Sequence, residues 1–358
     1  MTSTLGSRPS GVAGVVERLA AVPGREERLR HLEVLPSRPA CHAAWPAWAD
    51  ADVVAAFRAR GIAEPWEHQA VAADAAHHGQ HVVMATGTAS GKSLGYQLPA
   101  LSAVKAARGA RGRRGATVLY LAPTKALAQD QLAGLSALGV DLRVTTHDGD
   151  SSREQRDWAR DHAEYVLTNP DMLHRSLLPG HARWASFLGS LVYVVVDECH
   201  HYRGVFGAHV AHVLRRLRRV CALYGAHPTF VLASATVAEP EAFAQRLTGL
   251  DTMAVTGDTS PRGEVSLVLW EPPFTSFTGE NGAPVRRAAS SEAADLLADL
   301  VVEDVRTLAF VRSRRGAEQV AMTAAELLAE VDPSLPGRVA SYRGGYLPEE
   351  RRAIEEQL

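Results

Sequence analysis

Cysteine, lysine and long apolar runs are all scarce in this chain. Its three cysteines, Cys41, Cys199 and Cys221, show no C-x-x-C spacing, which argues against a zinc site or a disulfide framework and fits a reducing cytoplasm. No run reaches the roughly 18 apolar residues that a membrane span needs. The opening M-T-S-T-L-G-S-R-P-S also lacks the apolar core of a signal peptide. A soluble, cytoplasmic protein with no membrane partner is expected. The net charge of −2 excludes a bulk polycation, so any grip on nucleic acid has to come from local grooves and weaken steeply with salt. Lysine occurs only at 92, 105 and 125, against a large excess of arginine. The 358 residues suffice for two domains with sizeable cores.

One of the three lysines falls in T-G-T-A-S-G-K-S, from Thr86 to Ser93. An apolar strand-type run, His81 to Ala85, precedes it, and an amphipathic stretch from Lys92 to Val104 follows. Strand, tight Gly loop and helix start form the context in which backbone N–H groups converge on a phosphate. Thr86, Gly87, Thr88, Ala89, Ser90 and Gly91 form the cradle, although the strict pattern has Gly where Thr86 stands. Lys92 then reaches the β/γ-phosphates of a nucleoside triphosphate, and Ser93 offers its hydroxyl to Mg²⁺. About a hundred residues on, the near-continuous apolar run Leu191 to Val196 reads as a parallel strand covered on both faces. It ends in Asp197-Glu198, at the strand edge where open α/β sheets bind ligands. Asp197 is placed to hold Mg²⁺, and Glu198 to orient and deprotonate the attacking water.

These two segments, with Ser234-Ala235-Thr236 and the run Ala122 to Leu127 (A-P-T-K-A-L), resemble a superfamily 2 DEAD/DEAH-box helicase in order and spacing. H-Y-R-G-V-F-G-A-H-V from His201, T-N-P-D-M-L-H from Thr168 and Y-R-G-G-Y-L-P-E-E-R-R from Tyr342 are similar to the MrfA/YprA-like clade of bacterial DNA helicases, to which SftH-type translocases are similar. The resemblance covers most of residues 61 to 358. It implies that ATP is the nucleotide, that Gln69 in E-P-W-E-H-Q reads the adenine edge with Trp66 near the base, and that His200 links the metal site to Ser234 and Thr236. Those two hydroxyls would couple nucleotide state to strand binding, while Cys199 packs. Thr124, Lys125, Thr168 and Asn169, each just past a strand-type run, are implied to grip a nucleic-acid backbone. Ser313 and Arg314, after a strand from Thr307 to Val311, are implied to do so from the second domain, with Tyr342 and Arg343 weaker candidates. The implied partner is single-stranded or partly duplex DNA, tracked 3′ to 5′ in DNA repair. A DEAD-type RNA helicase is the alternative enzyme, and a nucleic-acid-binding fragment without turnover the non-enzymatic one.

The expected architecture is α/β: a RecA-like P-loop NTPase domain with a parallel sheet over 55–262, then a partial RecA-like domain over 263–358. Residues 1–54 read as an accessory segment packed on the first domain, with a helix from Val12 to Leu35 broken near Pro23-Gly24. Val265 to Trp270 reads as a strand and Phe274 to Arg287 as a loop. The family's Q-x-x-R-x-G-R string is not found before Leu358, so a truncated chain that binds ATP weakly and turns it over poorly is expected. Two basic clusters are discounted: Arg108, Arg111, Arg113 and Arg114 as a solvated loop, and Arg215, Arg216, Arg218 and Arg219 as the outer face of an amphipathic helix.

Overall fold

The computed structural model describes residues 12–108 and 114–358. Arg111 and Arg113 of the first basic cluster lie outside them. The described strands are β1 (Leu29–Leu35), β2 (Val82–Ala85), β3 (Thr117–Leu121), β4 (Val144–Thr146), β5 (Tyr165–Thr168), β6 (Leu191–Val196), β7 (Thr229–Ser234), β8 (Met253–Val255), β9 (Val265–Trp270), β10 (Phe274–Thr278) and β11 (Pro284–Arg286). The chain divides into two units, one of residues 38–262 and one of the residues up to 37 with 263–358.

In the larger unit seven strands pair in parallel in the order β4-β5-β3-β6-β7-β2-β8. Their apolar character follows from burial on both faces. Along β6, Val194 and Val196 point into one core with Phe230, Leu232, Leu214 and Leu217. Tyr193 and Val195 point into the other, with Met84, Tyr120, Leu98 and Leu101. The first core is capped by the helix Gly204–Leu223, whose buried Val210, Leu214, Leu217 and Cys221 recur at helical spacing. The second is covered by the helices Ala51–Ala59, Glu67–His77, Ser93–Ala106 and Lys125–Ala137. Every strand runs the same way, so the segments following β2, β3, β5, β6 and β7 all emerge along one edge.

The smaller unit departs from expectation in several places. The helix at its start stops at Ala20, and Leu29–Leu35 is a strand, antiparallel to β9. Its β-branched and leucine content finds ladder partners there, which wins over helix propensity. Residues up to 37 therefore group with 263–358, and 38–54 belong to the larger unit; the accessory segment of 1–54 is split at residue 37/38. Phe274–Thr278 and Pro284–Arg286 form an antiparallel hairpin rather than a loop. Thr307 to Val311 is not a strand: no strand of the described residues pairs with it, and Phe310 is 92% exposed.

Candidate active site

The phosphate loop leaves β2 with Thr86 buried, its hydroxyl 2.6 Å from Ser90 Oγ. That hydrogen bond accounts for threonine at a position where glycine is usual. Ala89 and Gly91 have φ of 59° and 61°. At Gly91 a side chain is excluded twice over, because the left-handed backbone disfavours it and a Cβ would lie 2.5 Å from Gln69 Nε2 and 2.9 Å from the Trp66 ring. Lys92 folds back on the loop, its ammonium donating to the Gly87 carbonyl at 2.7 Å. Gln69 is buried with both amide ends in use: Nε2 donates to Gly91 O at 2.7 Å, and Oε1 accepts from Trp66 N at 2.9 Å. In this state it braces the loop, with one amide N–H and one oxygen lone pair still uncommitted.

The acid pair stands at the end of β6. Ala85 of β2 lies opposite Ser234 of β7, and Val196 of β6 lies opposite Leu232 of the same strand. The loop and the acids thus leave the same edge with one strand between them, roughly 10 Å apart at about 4.8 Å per strand. Tyr96, one turn into the helix that Ser93 begins, donates to Asp197 Oδ2 at 2.9 Å, and Tyr120 of β3 donates to the same oxygen at 2.7 Å. The Glu198 N–H donates to Asp197 Oδ1 at 2.8 Å. Asp197 is a buried carboxylate hydrogen-bonded to neutral donors, with no ion pair among the described residues. Burial and the Asp197 charge push both phenols far above their ordinary range, so they remain donors. Ser93 and Asp197 offer the hard oxygen donors that suit Mg²⁺.

Glu198 adopts φ 47°, a left-handed conformation uncommon for a non-glycine residue. Its Oε2 is 3.2 Å from His200 Nδ1, which also faces the Ala235 N–H at 3.3 Å. One ring nitrogen between a donor and an acceptor can satisfy either, and the tautomer decides which. Burial lowers the His200 pKa, opposed by Glu198. His200 therefore touches both Glu198 and the segment carrying Ser234 and Thr236. Ser234 is fully buried and Thr236 exposed. Cys199 is buried, its thiol pushed up to about 12 by desolvation. Ligand atoms of Glu198, His200 and the exposed His201 lie within 4.8 Å of one another, a set richer in nitrogen than Mg²⁺ prefers.

The expected nucleic-acid residues separate into three kinds. Thr124 is exposed and caps the helix Lys125–Ala137, accepting from Leu127 N. Lys125 is exposed and pairs with Asp150 at 2.6 Å. Asn169 is half-buried and caps the next turn, accepting from Met172 N. Thr168 corrects the sequence reading: it is 2% exposed and donates to the His147 carbonyl at 2.5 Å. Its hydroxyl closes the sheet and is not offered to a ligand, because the residue is the last of β5 rather than the first of the loop. In the smaller unit Ser313 caps the helix Arg314–Val331 through Gly316 N, and Arg314 is exposed. Arg343 pairs with Glu318 and lies over Tyr346, and Tyr342 donates to Glu355.

Four of the discounted arginines, Arg108, Arg114, Arg215 and Arg218, have structural partners. Arg108 and Arg143 hold the buried Glu164, and Arg114 donates to the Arg160 carbonyl at 2.5 Å and also to that of Ala163. Arg215 and Arg218 donate to carbonyls at the C-terminus of the helix Pro240–Thr248. Sequence reasoning missed Tyr96, Tyr120 and His68. A tyrosine inside an otherwise apolar strand signals a hydroxyl that needs a partner, and Tyr120 carried that signal. Nothing in the local pattern distinguished Tyr96 or His68.

A phosphate loop and an acid pair on one edge of a parallel RecA-like sheet define the class of P-loop nucleotide-binding domains. Residues 66–243 match the DEAD/DEAH box helicase family, and the chain carries a DEAD/DEAH helicase domain. It is 38% identical over 348 residues to the ATP-dependent helicase YprA of Bacillus subtilis, covering 96% of this chain and 45% of that protein. It is 36% identical to the ATP-dependent helicase hrq1 of Schizosaccharomyces pombe, over 85% of this chain and 29% of that one. The crystal structure of the helicase MrfA bound to DNA and AMPPNP superposes with a TM-score of 0.85 at 36% identity, over 97% of this chain and 47% of that one. The chain thus spans less than half the length of each of these relatives.

Proposed function

We propose that this chain is the ATP-binding part of a DNA helicase, with Lys92, Asp197 and Glu198 as its chemical residues. The observation that carries this reading is the shared strand edge: loop and acids flank β7, and Tyr96 ties the loop's helix to Asp197. Amides of 87–91 and the helix start at Ser93 receive the phosphates. Lys92 leaves the Gly87 carbonyl for the β/γ-phosphates and neutralises charge that develops as the γ-phosphoryl departs. Ser93 and Asp197 would hold Mg²⁺, which would supply further charge neutralisation. Glu198, beside His200, orients the water and takes its proton. Gln69 and Trp66, which brace Gly91 in this state, lie beside the nucleotide on its base side.

DNA is the proposed track because the relative MrfA has been crystallised bound to DNA. Thr124, Lys125 and Asn169 present side chains at the ends of β3 and β5, which pair in register from Leu121 to Thr168. Donors at neighbouring strand ends suit backbone phosphates and read no sequence. Ser313 and Arg314 make the corresponding contact from the smaller unit. Movement 3′ to 5′ and a role in DNA repair rest on the family resemblance. The test is ATP hydrolysis with single-stranded DNA and with RNA of equal length, beside Lys92→Ala. Stimulation by DNA that Lys92→Ala abolishes supports the proposal, and equal or greater stimulation by RNA refutes the choice of track.

A further inference from the structure

His68 is 2% exposed and joins two segments distant in sequence. Its Nε2 is 2.8 Å from the Ser90 carbonyl of the phosphate loop, and its Nδ1 is 2.8 Å from Thr259 Oγ1. A carbonyl can only accept, so Nε2 carries the proton and Nδ1 is the acceptor. The surroundings agree with that tautomer. Thr259 N–H points at Nδ1 at 3.3 Å, and the His68 N–H donates back to Thr259 Oγ1 at 3.1 Å. Burial lowers the pKa of the ring, opposed by its hydrogen bond to Ser90 and by Asp258, with Lys92 and Arg38 lowering it further. Nδ1 accepts from Thr259, whose hydroxyl is 2.8 Å away.

A second contact ties the same two segments. Asp258 lies so close to Gly87 that a Cβ there would come within 2.9 Å of its Oδ2. Asp258 is itself fixed, its Oδ1 accepting from Ser260 N at 3.0 Å and Ser260 Oγ at 2.6 Å, and pairing with Arg38 at 3.1 Å. Gly87 and Ser90 are also the residues whose carbonyl and hydroxyl bond to each other across the loop, at 2.8 Å. The stretch 258–260 thus touches the loop where entering phosphates must rearrange it. Four residues further along the chain from Thr259, at Gly263, the other unit begins.

We propose that His68 is a positioning residue of the nucleotide site, coupling the phosphate loop to the 258–260 segment so that a shift in either is transmitted to the other. This rests on the nucleotide-site reading above, and its test separates the two. AMPPNP with Mg²⁺ is titrated into the full chain and into His68→Ala, Thr259→Val, Thr259→Ser and the His68→Ala/Thr259→Val pair. Hydrogen exchange of the peptide over 256–262 is followed with and without the nucleotide. His68→Ala is expected to weaken binding about tenfold, the loss that goes with one buried hydrogen bond to the loop. The pair should be no weaker than His68→Ala alone, since both changes act through one ring. Nucleotide should alter exchange over 256–262 in the wild type and in Thr259→Ser but not in Thr259→Val. A ring that merely stabilises the fold would lower the melting temperature and leave that response intact. Effects that multiply in the pair, or an exchange response preserved in Thr259→Val, overturn the role of His68. Failure of the wild type to bind AMPPNP overturns the nucleotide site itself. If His68→Ala does not fold, the Thr259→Val and Thr259→Ser comparison decides alone, because both keep the imidazole.

Discussion

Tyr120→Phe removes a single oxygen and leaves the ring in place, which makes it a sharp probe of how the Asp197 carboxylate is held. Tyr120 and Tyr96 both donate to Asp197 Oδ2, at 2.7 and 2.9 Å, and Tyr120 is 1% exposed. A hydrogen bond to a charged group is worth about 1.5–3 kcal/mol, and no water is expected to replace a phenol in so enclosed a position. In a domain of this size each kcal/mol moves the midpoint by about 2–4 °C, so the expected drop in Tm is roughly 3–12 °C. Tyr96→Phe should cost a similar amount. The double variant should lose about 1 kcal/mol more than the sum, because Asp197 then keeps only the Glu198 N–H. Asp197→Asn retains an acceptor for the phenols, so it should melt closer to wild type while losing Mg²⁺-dependent nucleotide binding. The measurement is thermal or urea unfolding of the nucleotide-free chain, followed by circular dichroism. A Tyr120→Phe midpoint within about 1 °C of wild type, too small for a lost charge-assisted bond, would show that the phenols do not anchor the carboxylate.

Glu198→Gln keeps the volume and removes the base, so AMPPNP binding should be unchanged while single-turnover hydrolysis falls by about 10²–10⁴, measured by phosphate release; comparable rates would reassign the base. Glu164 is 3% exposed and bonded to Arg108 and Arg143, so Glu164→Ala should destabilise by about 3–5 kcal/mol in urea unfolding. A loss under 1 kcal/mol, the range of exposed pairs, would mean the network is not tight. His147 is lowered to about 4, chiefly by burial, below its value of about 6.5 in an unfolded chain. Unfolded chains therefore bind more protons between those values, so the stability is fully present above pH ~6.5 and is lost as pH falls toward 4, by roughly 3 kcal/mol. Urea unfolding at pH 7 and pH 4.5 should show a slope that His147→Gln reduces.

How much was legible in the sequence differs between the units for a physical reason. In the larger unit, β2, β3, β5 and β6 are largely apolar runs, so the composition of each strand already marked where its candidate site residue would fall. The phosphate loop and the acid pair were legible because such strands are punctuated by Gly, Asp and Glu. The smaller unit gives weaker signals. Leu29–Leu35 alternates too little to separate strand from helix, and its identity is decided by pairing with Val265–Trp270, more than two hundred residues away. Thr307 to Val311 has strand composition without a neighbour, which shows that propensity alone does not form a strand. Thr168 was misread by one residue: a hydroxyl inside the last rung of β5 serves the sheet, whereas Asn169 just beyond it is half-buried and caps the next turn. Tyr96, Tyr120 and His68 act through contacts 191, 101 or 77 positions apart in the chain, and no local pattern can encode such pairings.

The position of β7 limits how the site can signal. Hydrogen-bonded to β2 on one side and β6 on the other along its length, it cannot slide past either without breaking a ladder. The short stem beyond Ser234 is one route by which this edge can reach the rest of the protein: there the chain leaves the ladder at Ala235 and Thr236 before turning at Glu239 with φ 49°. Changes at Ser234 should register as damage to the sheet. Changes at Thr236, exposed beyond the last rung, should leave the sheet intact.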